Sequence, residues 1–215
     1  MVAIANMPRG IDVSKFQGNV NWQRVKNSGI SFAFARAIDD ATGTTPDPKF
    51  ARNWQGMKDA GIFRGAYYFL RPNRNMQRAA DLFVSTVGQL GAGDLPPVLD
   101  VESADGASAS NILDDIQEWM SIVEGALNRE IMIYTFRPFW ENTLGNSTRF
   151  SNRALWTAHF TSAPQPRFPS AFPRFSFWQF TDTGTCPGVT GNVDLDRFNG
   201  SMNGLRAFAG LPPES

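Results

Sequence analysis

Residues 63–102, FRGAYYFLRPNRNMQRAADLFVSTVGQLGAGDLPPVLDVE, read as a strand, a helix and a second strand. FRGAYYFL and PPVLDVE are short apolar and aromatic runs bounded by Gly and Pro, whereas NMQRAADLFVSTVGQLG repeats its apolar residues at helical spacing. Two strands joined by a crossover helix lie parallel in one sheet. The alternation continues outward from this unit. On its N-terminal side stand GIDVSKF with a helix near NWQRVKNSG, and FAFARAI with DPKFARNWQGMKDAG. On its C-terminal side stand the long helix ASNILDDIQEWMSIVEGALN and REIMIYT with a short helical PFWENTLG. Gly29 and Gly61 each follow an apolar-periodic stretch and precede a strand, as a glycine just past a helix end does. After Asn146 the helices nearly vanish. Three more strand-like runs, ALWTAHF, FSFWQFT and NVDLDRF, are joined by loops rich in Pro, Gly, Ser and Thr. The pattern predicts an α/β fold, a modified TIM-like barrel of eight strands, the first five with helices and the last three largely without. A doubly wound open sheet is the alternative.

Composition narrows the chemistry. The 215 residues fit one domain, with a core over about 9–209 and 210–215, "LPPES" and the glycine before it, as a tail or linker stub. Twenty basic and 20 acidic residues balance and form no long basic run, which argues against a nucleic-acid partner. No apolar window approaches the roughly 18 residues of a membrane span. The start, MVAIANMPRG, lacks the charged and apolar regions of a signal peptide. A single cysteine, Cys186, and a single histidine, His159, exclude an internal disulfide and multi-Cys or multi-His metal sites. Neither residue comes with a signature of nucleophilic catalysis, and His159, mid-strand in TAHFTS, reads as structural. We expect no cofactor, no metal and a monomer, with chemistry resting on carboxylates, hydroxyls and aromatics.

Carboxylates stand where strands end. Alternate side chains of a strand share a face, so Val98, Asp100 and Glu102 point one way and Leu99 and Val101 the other. The Cα atoms of Asp100 and Glu102 are then about 6.5 to 7 Å apart. In a barrel with helices outside, the two acids face inward at the carboxyl end, where such barrels keep their active sites. Two close acids in a partly dry site divide into one that keeps its proton and one that stays charged. Asp12 ends the first strand, and Asp194 and Asp196 lie in the last, which adjoins the first in a closed barrel. Asp39 and Asp40 end the second strand. Near the same strand ends are Tyr67, Tyr68, Tyr134, Trp156, Trp178 and Gln179. Aromatic faces stack on sugar rings, and the Tyr hydroxyls and the Gln179 amide can bond sugar substituents.

From GIDVSKFQGNVNW through DAGIFRGAYYFLRP, PPVLDVE, IYT, ALWTAHF and FWQFT to VDLDRFNGS, over about residues 9–206, the sequence resembles the glycoside hydrolase family 25 lysozymes, the Chalaropsis-type muramidases. The resemblance implies a catalytic barrel that cuts the β-1,4 bond between N-acetylmuramic acid and N-acetylglucosamine in bacterial peptidoglycan. By the same resemblance Glu102 is the general acid and Asp100 its partner, while Asp12 and Asp194 line the cleft. Tyr67, Tyr68, Tyr134, Trp156, Trp178, Gln179 and Asp39 are the candidate substrate-binding residues. Substrate assistance by the 2-acetamido group with net retention is the favoured route; an inverting route with Asp194 or Asp12 as base is its rival. The place of action is the bacterial cell wall, reached by secretion or by release at host lysis.

Two stretches depart from the family pattern. RAIDD stands where members commonly read Lys-Ala-Thr-Glu-Gly, so Arg36 replaces Lys, Asp39 replaces Glu and Asp40 replaces Gly. Tyr67-Tyr68 stands where Tyr-His is frequent. An altered subsite is expected, and RAIDD is the one support for a rival reading as a catalytically impaired glycan-binding or virion module. Hydrolysis of another N-acetylated glycan such as chitin is a further alternative, and a metal phosphoesterase built on the acid cluster is a poorer one, because clustered acids lack the usual His ligands.

Overall fold

The computed structural model describes residues 6–39 and 44–214. Eight strands close into one barrel in chain order: β1 (Arg9–Val13), β2 (Ile30–Arg36), β3 (Phe63–Phe69), β4 (Val98–Asp100), β5 (Met132–Phe136), β6 (Leu155–Ala158), β7 (Phe177–Gly184) and β8 (Val193–Phe198). Closure excludes the open sheet. Helices α1 (Trp22–Asn27), α2 (Phe50–Asp59), α3 (Met76–Val87) and α4 (Ala109–Leu127) follow the first four strands. A single π-turn, Phe139–Thr143, follows β5. Asn21, Asn75 and Ser108 start α1, α3 and α4 by accepting the backbone N–H three residues on, which satisfies one orphan donor of each first turn.

β1 to β7 run parallel, whereas β8 is antiparallel to both β7 and β1. The cause is local. Residues 185–192, TCPGVTGN, are too few and too rich in Gly and Pro for a crossover helix, so the chain reverses as a hairpin. A fifth helix, α5 (Met202–Phe208), capped by Ser201, follows β8 and has no counterpart in the sequence reading. Residues 211–214, read as a tail, fold back on α5: Arg206 donates to the Pro212 carbonyl at 2.9 Å and meets Glu214 at 2.6 Å.

Strand alternation divides the apolar residues into two cores. Phe32, Phe34, Val98, Met132, Trp156 and Phe177 fill the barrel, while Ala33, Ala35, Leu99, Val101 and Ile133 face the helix layer with Trp119 of α4. The barrel core is aromatic. Phe34 stacks on Trp156 at 4.4 Å and meets Phe177 edge-on at 5.3 Å. Rings this large fit because glycines face them: a Cβ on Gly10 would sit 2.2 Å from the Phe32 ring, and one on Gly65 would sit 2.3 Å from Phe34. Gly65→Ala is therefore expected to destabilise the barrel by about 1–3 kcal/mol through overpacking, read as a lower urea midpoint. An unchanged midpoint would mean that the Phe34 ring has room to move.

Candidate active site

The C-terminal ends of the parallel strands surround a cavity of about 230 Å³ whose walls include Asp12, Tyr67, Asp100, Glu102, Tyr134, Trp156, Gln179 and Asp194. β1 supplies Asp12 and β4 ends on Asp100, each 6% exposed. Glu102 lies two residues beyond the strand, half-buried, on the same face as Asp100. Asp194 is the second residue of β8 and pairs in register with Asp12, which the reversal of that strand makes possible. All four acids expected at the site thus line one cavity.

The acids are wired together from behind. The Tyr134 hydroxyl donates to Gln179 Oε1 at 2.8 Å, and Gln179 Nε2 donates to Asp12 Oδ2 at 2.8 Å. Beneath them Asp196, fully buried, accepts the Trp156 indole N–H at 2.9 Å. Burial, with the charges of Asp194 and Asp196 adding, pushes the Asp12 carboxyl well above the usual carboxylate range. Burial and then the Asp194 charge do the same to Asp196. Asp194 is raised as well, mainly by burial and against the lowering effect of Asp12, so full ionisation of this cluster is disfavoured. Glu102 is also raised, first by burial and then by the Asp194 charge, against the opposing pull of Arg71. It suits a group that must still carry a proton when substrate arrives.

The other expected residues divide by strand parity. Tyr67, Tyr134, Trp156 and Gln179 line the cavity. Tyr68 and Trp178 do not, because the residues next to Tyr67 and Gln179 must face the other way. Tyr68 stacks on Trp119 in the helix layer at 5.5 Å, and the Trp178 indole donates to the His159 carbonyl at 2.9 Å. Asp39 lies outside the cavity, paired with Lys15 at 2.7 Å. Asp40 falls outside the described residues. His159 stands just past β6 rather than within a strand, and its Nδ1 accepts the Arg167 backbone N–H at 3.0 Å. Sequence reasoning did not assign Phe69, Phe16 and Arg36 to the cavity wall. Parity with Tyr67 would have found Phe69. Phe16 projects from the loop after β1 and is 73% exposed, with the Arg36 guanidinium 5.2 Å from its ring centre.

The sequence profile of glycosyl hydrolases family 25 matches residues 11–189. The chain belongs to that family. Lysozyme M1 of Streptomyces globisporus is 37% identical over 212 residues, covering 94% of this chain and 71% of the relative. Among solved structures, the bacterial lysozyme of Streptomyces coelicolor superposes with a TM-score of 0.87 at 35% identity, covering 94% of this chain and 97% of the other. A muramidase from Trichobolus zukalii gives a TM-score of 0.84 at 31% identity, covering 94% and 98%. This family 25 glycoside hydrolase thus has the fold and the chain order expected from its motifs.

Within the family 25 site, Asp196 gives a pH-dependent prediction. A carboxyl whose folded pKa lies above its unfolded value of about 3.9 binds more protons in the folded state, so stability falls as pH rises through that window. Asp196→Asn keeps an acceptor for the Trp156 N–H and turns an amide donor toward Asp12. We expect it to melt higher than the wild type at pH 7, with the gap shrinking toward pH 4. Melting curves at both pH values check this, and a gap independent of pH would contradict a buried titrating Asp196.

Proposed function

We propose that the protein is a lysozyme-type muramidase that hydrolyses the β-1,4 bond between N-acetylmuramic acid and N-acetylglucosamine in bacterial peptidoglycan. The reading rests on Asp100 and Glu102, which enter one cavity from the end of β4, where burial raises the Glu102 carboxyl above its ordinary range. The lysozymes and muramidase to which the chain is similar support the choice of glycan.

In the proposed reaction Glu102 gives its proton to the glycosidic oxygen as that bond breaks. The 2-acetamido carbonyl of the muramic residue attacks the anomeric carbon, and Asp100 accepts the amide N–H of the oxazolinium that forms. Water, deprotonated by Glu102, then opens the ring with net retention. An inverting route needs a charged base opposite Glu102. Asp12, buried with its charged form disfavoured, is poorly suited to that part, so an inverting route would fall to Asp194. Asp39 sits on Lys15 outside the cavity, so the RAIDD departure leaves the four acids in place and gives little support to an impaired binding module.

We further propose that residues 1–215 are one catalytic domain acting as a monomer on wall glycan outside the cytoplasmic membrane, after secretion or host lysis. Among the described residues no helix is long and apolar enough to cross a membrane. Digestion of purified peptidoglycan, borohydride reduction and mass spectrometry of the new ends test the activity. Muramitol ends are expected; glucosaminitol ends would move the cleavage to the other linkage, and wall binding without new ends would make the chain a binding module.

A further inference from the structure

Glu102 and Tyr134 form a wall shared by two hollows. On one side is the acid-lined cavity, and on the other a hollow of about 370 Å³ bounded by Phe136, Pro138, Ala158, His159 and Phe160. The two differ in chemistry. Within the second hollow, Glu102 is the one ionised or ionisable acid, and the remaining wall is apolar apart from the Tyr134 hydroxyl and the His159 ring. Phe160 is 52% exposed there, one of three large apolar side chains that the described residues leave open to solvent. Beyond it the surface becomes polar again, because Pro138, Ala158 and His159 also border a hollow with Arg137, Glu141 and Arg167. A groove therefore runs from the acids past Glu102 and over the ends of β5 and β6.

The His159 ring has a defined polarity. Its Nδ1 accepts the Arg167 backbone N–H at 3.0 Å and so carries no proton. Partial burial and the Arg167 charge favour the neutral ring, which leaves the one proton on Nε2. The hollow thus combines an aromatic face with an N–H donor.

We propose that this hollow binds the pyranose ring on the leaving side of the scissile bond, stacked on Phe160 and hydrogen-bonded by His159 Nε2–H. The inference rests on the muramidase reading. A general acid must lie beside the oxygen that joins two sugars. With the muramic ring among the acids, the departing ring falls on the far side of Glu102, where the wall offers C–H stacking in place of charge. Contacts made to that ring as the bond breaks help to fix the oxygen against the Glu102 proton.

Two measurements test the subsite. The first compares hydrolysis of peptidoglycan glycan strands with that of a muramyl-terminated saccharyl fluoride, whose leaving group carries no ring. Phe160→Ala is expected to lose roughly three- to tenfold more kcat/KM on the glycan than on the fluoride, with Phe160→Tyr recovering most of it. The second uses the fact that the chain has one histidine, so its imidazole resonances are unambiguous. Adding N,N′-diacetylchitobiose to the Glu102→Gln variant should shift the His159 signals, and Phe160→Ala should weaken that response. Equal losses on both substrates, or unmoved His159 signals, would overturn the subsite. If the wild type yields no muramitol ends while the His159 shift is present, the muramidase reading fails and the sugar-binding hollow stands.

Discussion

Glu102→Gln is expected to lower peptidoglycan hydrolysis by about 10²–10⁴-fold, the range that a positioned general acid contributes. The side chain is half-buried at the mouth of the barrel, and burial with the Asp194 charge pushes its carboxyl above the ordinary range. Gln preserves its size and leaves no proton to give. Because a raised carboxyl pKa means that the charged form is disfavoured in the folded state, removing the charge should not lower the melting temperature at neutral pH. The kcat/KM profile of the wild type should fall on its alkaline side as pH rises through the raised Glu102 pKa. Steady-state kinetics on the two proteins across pH check both statements. A variant that keeps more than a tenth of wild-type activity would move the acid role to another residue.

Arg36→Ala is expected to destabilise the fold by about 3–5 kcal/mol, the range for removing one partner of a buried ion pair. Arg36 is 4% exposed, and its Nε and one terminal nitrogen donate to the same Asp47 oxygen at 3.0 and 2.9 Å. Asp47 also accepts the backbone N–H of Lys15 at 3.0 Å and of Lys49 at 2.9 Å. Without the guanidinium a carboxylate stays buried with fewer donors, and the anchor of the loop after β1 weakens. That loop carries Ser14, Phe16 and Gln17 of the cavity wall, so activity should fall along with stability. Urea unfolding gives the stability term directly. Arg36→Ala with Asp47→Asn should recover part of the loss, since the stranded charge is then gone. A loss below about 1 kcal/mol would mean that water reaches Asp47 and replaces the guanidinium.

Much of the site was legible because strand period and barrel geometry act together. Asp100 and Glu102 are two residues apart, and a period of two decides that they share a face wherever the strand lies. The same period was set aside at Tyr67-Tyr68 and at Trp178-Gln179, where adjacent residues were all given to the cleft. The structure turns Tyr68 to the helix layer and Trp178 to the outer side of the barrel. Residue type had outweighed parity there, and parity is the stronger constraint.

Strand direction was less accessible. Asp194 stands at the beginning of its strand, and a parallel β8 would have carried it to the far end of the barrel from Asp12. Only the short residues 185–192 hint at the reversal. α5 escaped because its seven residues, MNGLRAF, contain a glycine and no long apolar stripe. Its stability comes from packing Leu205 into the barrel core, a tertiary fact.

The reversed last strand also dictates when the acid-lined cavity can come into being. Asp12 and Asp194 stand near opposite ends of the chain and meet only when β8 slots between β7 and β1. That contact closes the longest loop in the fold and so ranks among its slowest to form. During synthesis the barrel's early strands leave the ribosome long before their final partner does. The acid cluster around Asp194 is therefore completed last, and a growing chain carries Asp100 and Glu102 without the neighbour whose charge helps to raise the Glu102 carboxyl.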